Sequence, residues 1–500
     1  MATFSNDFLW GGDISATQIE GGWDEGGKSP VETDYMVGVT HETPFRYGFY
    51  RNPDGSEGTM QLYSGKLPKG AQMIIKEGYD YPNHKASDFY HHYKEDLALL
   101  AEMGFTALNL TMSWARIFPG GISQGINSEG VEYYRSVLSE CKRLGMEPIV
   151  TLYKYDMPFF YVSEWGGWSN RRLIEEYVEF ARVCLTEFKG LSHHWITFNE
   201  LNILKLTMDT LPDVTAEDRQ RFFEEAHNQL VASARVVRLA HAIDPDNLVG
   251  CMCAGLFGYG YTCDPNDQLK MQKYMQDAMF YYGDVMVRGA YPRFARRVWE
   301  ENGVSLNVSA EDAADLMAGR VDFLPFSYYS STCLTTHEID ASLVSGNASF
   351  SGVKNPYLAS TPWGWEIDPV GFKIALHVLS DRYYDTPLLV VENGMGTLDR
   401  LEDDGSVHDP YRIEYLREHI RNMREAVKEG VNLIGYTMWS CIDLISAGTG
   451  EMRKRYGFIY VDAADDGSPQ GSYKRYRKDS FHWYKGVCES NGEALAQAAP

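Results

Sequence analysis

Cationic residues are the scarce class in this 500-residue chain: 46 Lys and Arg stand against 69 Asp and Glu, a formal charge of −23. Nucleic acid and anionic membrane surfaces both demand positive charge, so neither is expected as a partner. Long apolar runs are missing too. No stretch offers the roughly eighteen uninterrupted apolar residues that a membrane-spanning helix needs, and Met1 to Asp7 lack a basic region followed by an apolar one. The chain is therefore expected to be soluble, unexported and cytoplasmic. Cysteine is sparse as well. The eight cysteines run from Cys141 to Cys488 without a tight framework, which suits a reducing compartment. Cys251 and Cys253 alternate in a strand-like run and read as small buried hydrophobes rather than metal ligands. The pairs His91-His92 and His193-His194 are sequence neighbours whose side chains do not converge easily on one ion. With no histidine–carboxylate cluster at ligand spacing, neither a metal nor a cofactor is expected. Gly11-Gly12 is not followed by Gly-Lys-Ser/Thr and is no phosphate loop.

What the chain does have is a regular alternation of strand-like and helix-like segments with no low-complexity linker. Eight strand candidates occupy 8–16, 107–114, 148–156, 195–200, 248–256, 323–330, 388–392 and 433–439. Several are β-branched, aromatic and nearly continuously apolar, as in parallel strands covered on both faces. Helical periodicity fills 93–103, 128–144, 172–188 and 412–428, each followed closely by a glycine stop at Gly104, Gly145, Gly190 or Gly430. Eight such units predict a single (β/α)8 barrel, an α/β TIM barrel spanning residues 1–500 as one domain. The inserts 38–81, 264–275 and 399–410 are expected to be loops above the barrel mouth.

Two segments carry the chemistry. Thr197-Phe198-Asn199-Glu200 and Val391-Glu392-Asn393-Gly394 each follow an apolar β-run and place a glutamate at the carboxyl end of a strand, the fourth and the seventh. Two facing carboxyl groups suffice to cleave a glycosidic bond if one keeps its proton for the leaving oxygen and the other is ionised to attack the sugar.

Three motifs, Phe8-Leu9-Trp10-Gly11-Gly12 with Ser15-Ala16-Thr17-Gln18-Ile19-Glu20-Gly21, Trp195 to Glu200, and Leu389 to Gly394, occur in order along nearly the whole chain. In these the sequence resembles glycoside hydrolase family 1, the retaining β-glycosidases. The resemblance implies Glu200 as acid/base and Glu392 as nucleophile, with carboxyl groups roughly 5–5.5 Å apart. It also implies Asn199 on the sugar 2-hydroxyl, Gln18 on hydroxyls at the far side of the ring, Tyr329 bonded to the nucleophile, and Trp439 as the platform under the sugar.

The segment from Trp439 to Thr449 departs from the family's ordinary β-glucosidases, which carry a glutamate where Ser446 stands. A carboxylate there would repel a phosphate, whereas a hydroxyl followed by Lys454-Arg455-Tyr456 would welcome one. Ser446, Lys454 and Tyr456 thus resemble the 6-phospho-β-glucosidase branch, and Ala447 in place of a tryptophan favours a gluco sugar. That branch often has serine at the position of Gly448, so Thr449 is a further candidate for the phosphate hydroxyl. Two positions are foreign to the family. Asn109 stands where an arginine beside the nucleophile is usual, and Lys154 where a histidine bonds the 3-hydroxyl. Lys154 is expected either to replace the missing cation near Glu392 or to bind an unusual substituent at C2 or C3. The expected partner is a small β-glycoside, 6-phosphorylated. Non-phosphorylated or otherwise decorated glycosides, or a catalytically weak glycoside sensor, are the alternatives. A homo-oligomer is compatible with the sequence.

Overall fold

The apolar runs assemble as eight parallel strands in the computed structural model, which describes residues 3–39, 43, 46–64, 67–210, 213–345, 352–464 and 471–495. The strands are β1 (Leu9–Ile14), β2 (Ala107–Thr111), β3 (Glu147–Thr151), β4 (His194–Ile196), β5 (Leu248–Gly250), β6 (Leu324–Tyr328), β7 (Leu388–Asn393) and β8 (Leu433–Trp439). Their spatial order runs β6-β7-β8-β1-β2-β3-β4-β5. Parallel bridges Gly250↔Phe323 and Cys253↔Phe326 join the two ends, so the sheet closes into a barrel. Helices follow the strands in turn and cover the outside: α1 (Phe89–Glu102), α2 (Ser128–Arg143), α3 (Leu173–Glu187), α4 (Ala216–Ile243), α5 (Tyr281–Arg288), α6 (Pro369–Arg382), α7 (Pro410–Lys428) and α8 (Asp479–Glu489). This is the (β/α)8 architecture.

Alternation of side chains explains where the core sits. Ala107, Ile149, Ile196, Met252, Phe323, Leu389 and Val391 pack together as one small cluster. A much larger apolar layer includes side chains of the helices, among them Leu97, Leu138, Phe180 and Leu416. Close approach of β1 and β2 depends on Gly11, where an added Cβ would lie 2.0 Å from the Ala107 carbonyl oxygen. That fit sets Asp13 opposite Asn109 in the strand register.

Several expected strands end early. β3, β4 and β5 stop at Thr151, Ile196 and Gly250, and the ladder continues only as isolated bonds such as Leu152 N to Ile196 O and Met252 N to Phe198 O. Chain leaving the ladder is free to turn side chains into the barrel mouth, and this is where Lys154 and Glu200 lie. Two inserts also differ from expectation. Residues 38–81 hold a three-stranded antiparallel sheet (Tyr47–Arg51, Glu57–Gln61, Gln72–Ile74), although 40–42, 44, 45, 65 and 66 lie outside the described residues. Residues 265–275 are helical, because Asp264 caps the Asn266 N–H and Pro265 sits in the first turn, where its missing N–H is harmless. Cys251 and Cys253 are buried. Among the described residues no helix is long and apolar enough to cross a membrane.

Candidate active site

At the carboxyl ends of the strands lies a cavity of about 930 Å³. Gln18, Lys154, Asn199, Glu200, Tyr329, Glu392 and Trp439 all line it, as do Ser446, Thr449, Lys454 and Tyr456. Asn109, the remaining candidate, is buried behind the wall.

Glu392 is the next-to-last residue of β7 and is held on both oxygens. Lys154 Nζ donates to Oε1 at 2.7 Å, and Tyr329 OH donates to Oε2 at 2.6 Å. Burial and the Glu392 charge push the Tyr329 phenol well above its ordinary range, so it stays a donor. Lys154 is itself buried, which alone would favour its neutral form. The charges of Glu392 and Asp13 outweigh that and raise its pKa. Its ammonium lies 3.6 Å from Asp13 Oδ2 and 3.8 Å over the Trp439 ring. Asn109 does not reach Glu392. Its amide donates to Asp13 Oδ1 at 2.7 Å, and its own oxygen accepts from the Thr151 hydroxyl at 3.0 Å. Asp13 is fully enclosed. Burial pushes its carboxyl well above the usual range, opposed by Lys154 and reinforced by Glu392.

Glu200 faces a different environment. It follows β4 by four residues in a left-handed conformation, φ 41°, a strained setting for a non-glycine residue of the kind found where a side chain must be aimed. The Ser327 hydroxyl on β6 donates to its Oε1 at 2.5 Å. Burial, then the Glu392 charge, raise its pKa to about 7, against the pull of Ser327 and Lys154. One carboxyl group is therefore paired with a cation, and the other is biased to keep its proton. This split is what acid/base work beside a nucleophile requires.

The far end of the cavity is built by the loop after β8. Lys454 is buried, and its stem fits because position 396 is glycine, where a Cβ would lie 2.8 Å from Lys454 Cγ and Cε. Its Nζ stands 4.1 Å from the Trp365 ring centroid and 5.7 Å from those of Trp363 and Tyr456. Among the described residues no hydrogen bond or ion pair engages that ammonium. Burial drags its pKa down to about 7, with only Glu451 opposing. Arg455 points the other way, to Asp443 at 2.9 Å, and Lys478 reaches the same Asp443 at 2.8 Å. These two cations hold the loop and do not enter the cavity lining. Arg46 does line the cavity. Its guanidinium lies beside Gly450 and its Nη1 has no hydrogen-bond partner among the described residues.

The chain matches the model of glycosyl hydrolase family 1 over residues 1–47 and 71–493. It belongs to that family. It is a glycoside hydrolase, 42% identical over 499 residues to the 6-phospho-beta-glucosidase AscB of Escherichia coli, covering 99% of this chain and 100% of the relative. The aryl-phospho-beta-D-glucosidase BglA of Bacillus subtilis is 40% identical over 508 residues, 99% and 100% covered. Among solved structures, a family 1 β-glucosidase from Thermotoga maritima superposes with a TM-score of 0.78 at 26% identity, covering 98% of this chain and 99% of that one. Three contributors to this family 1 site went unread in the sequence: Asp13, Ser327 and Arg46. For Asp13 a signal existed, since an acid inside the apolar strand Leu9–Ile14 must have a buried partner.

Proposed function

We propose that the enzyme hydrolyses 6-phospho-β-glucosides with retention of configuration. Glu200 protonates the glycosidic oxygen while a Glu392 oxygen bonds to the anomeric carbon and the aglycone leaves as an alcohol. Glu200, now ionised, takes a proton from water, the water oxygen attacks the anomeric carbon, and Glu392 departs as a carboxylate. The products are β-glucose 6-phosphate and the aglycone. Trp439 underlies the sugar, and Gln18 and Asn199 bond its hydroxyls. A 5–5.5 Å carboxyl separation, roughly, is the retaining geometry.

One observation carries the phosphate assignment: a buried ammonium, Lys454, lines the cavity and pairs with no anion among the described residues. A buried charge without a partner is disfavoured, and a substrate phosphate supplies the partner. Tyr456, Ser446 and Thr449 line the same cavity, and no acid stands at position 446 to repel the ligand. The names of the relatives, phospho-β-glucosidases among them, support the same reading. A substrate phosphorylated during uptake fits a cytoplasmic enzyme. Lys154 is assigned to the nucleophile rather than to a sugar substituent, because Glu392 already occupies it. Rates on p-nitrophenyl β-glucoside with and without a 6-phosphate test the assignment. The phosphorylated compound should be the better substrate by at least about a hundredfold in kcat/KM, as two or more charge-assisted bonds give. Faster cleavage of the plain sugar points to an enzyme of non-phosphorylated glycosides. Covalent labelling of Glu392 by a 2-fluoro glycoside, read by mass spectrometry, excludes a mere glycoside sensor.

A further inference from the structure

Lys154 faces two carboxylates and bonds only one of them. It donates to Glu392 Oε1 at 2.7 Å and stands 3.6 Å from Asp13 Oδ2, just beyond hydrogen-bond range. Of the two Asp13 oxygens, Oδ1 is engaged by the Asn109 amide, and Oδ2 has no hydrogen bond among the described residues. Asn109 cannot turn its oxygen toward Asp13 without losing the Thr151 hydroxyl. Asp13 is thus held in place with one oxygen unbonded among the described residues, 3.6 Å from the lysine and also within the field of Glu392.

Two events call for that oxygen. The ammonium lies on the Trp439 face, so a sugar stacking there competes with it for space. The reaction then removes the claim of Glu392, because the glutamate becomes a neutral ester once bonded to the anomeric carbon. A buried ammonium that stayed behind would lose its counter-charge. We infer that Asp13 is a positioning residue, a second seat to which the Lys154 ammonium moves when substrate arrives and Glu392 is esterified, and from which it returns on hydrolysis. Esterification also removes the Glu392 charge that helps hold the Asp13 carboxyl above its usual range, so Asp13 receives the approaching ammonium as a carboxylate; no proton passes between them, and the ammonium moves with its charge. The inference rests on the retaining reading above, in which Glu392 is the group that is esterified.

A crystal structure of Glu392→Gln tests it without turnover, since the amide has the shape of the glutamate and, like the ester, no charge. Lys154 Nζ is expected within about 3.2 Å of an Asp13 oxygen. An ammonium still over Trp439 and out of bonding range of Asp13 overturns the inference, whatever the substrate proves to be. Kinetics of Asp13→Asn give a second readout. Its kcat/KM should fall at least about tenfold, because the glycosyl-enzyme then holds an unpaired ammonium. For the same reason its 2-fluoroglycosyl adduct on Glu392 should reactivate faster than that of the parent enzyme. A merely structural defect slows both steps, and that result also overturns the inference. If Asp13→Asn does not fold, the Glu392→Gln structure decides alone.

Discussion

Two lysines face one cavity, both buried and both over tryptophan rings, yet their charges are governed in opposite ways. Lys154 lies between Asp13 and Glu392, and their charges more than offset burial. Around the Lys454 ammonium the described residues place three aromatic rings and no ion pair, and burial lowers its pKa to about 7 against the charge of Glu451. The same side chain in the same degree of enclosure is a fixed cation in one place and an ammonium awaiting an anion in the other. The partner, not the burial, decides. Under the proposed function, the cavity has a neutralised reacting end and an electrostatically unsatisfied recognition end.

The comparison breaks first at the reacting end. Lys154→Met should lower kcat/KM by about 10²–10³ on phosphorylated and plain glucosides alike, since it strips the nucleophile of its buried counter-ion. Glu200→Gln should cost about 10²–10⁴ on poor leaving groups and far less on dinitrophenyl glycosides, whose aglycone needs no proton. At the recognition end, Lys454→Met should raise KM for the phosphorylated glucoside about tenfold to a hundredfold and leave the plain glucoside untouched.

The pH dependence separates the two ends further. Glu200 loses its proton as pH rises through about 7, so both substrates should be cleaved more slowly above that pH. Lys454 in the free enzyme also loses its proton through about 7, and a bound phosphate would hold it protonated to higher pH. The preference for the phosphorylated substrate should then fall by up to about tenfold per pH unit above 7, and stay level below it until the phosphate itself takes up a proton near about pH 6. The smallest expected effect is a gain. An added Cβ at Gly448 meets nothing within 4 Å, so Gly448→Ser should add a phosphate hydroxyl and lower KM about two- to tenfold.

Legibility followed the same division. Glu200 and Glu392 stand in contiguous motifs behind apolar strands, and the 454–456 segment is local too, so both ends of the cavity could be read from short stretches. Lys154 was readable as a foreign residue, but its bridging role was not, because Asp13, Lys154 and Glu392 meet across the barrel from β1, β3 and β7. Asn109 reads as standing in for an arginine near the nucleophile, but its hold on Asp13 left no trace in the sequence. Among the elements, α4 passed unnoticed although it has 28 residues. Its buried residues include Glu225, His227, Asn228, Gln229 and Ser233 as well as apolar ones, so no clean stripe marks it. The sheet in 47–61 left a trace, Asn52-Pro53-Asp54-Gly55 between aromatic and β-branched residues, which is a hairpin signal.

Under the proposed function, Lys454, which pairs with no anion among the described residues, selects a phosphorylated sugar. The most direct test is the ratio of kcat/KM for p-nitrophenyl 6-phospho-β-glucoside over p-nitrophenyl β-glucoside, measured at pH 6.5 in the parent enzyme and in Lys454→Met. The ratio should be at least about a hundred in the parent and fall by a factor of about ten or more in the variant, through KM of the phosphorylated substrate alone. A ratio near one in the parent, or one that Lys454→Met leaves unchanged, contradicts the account.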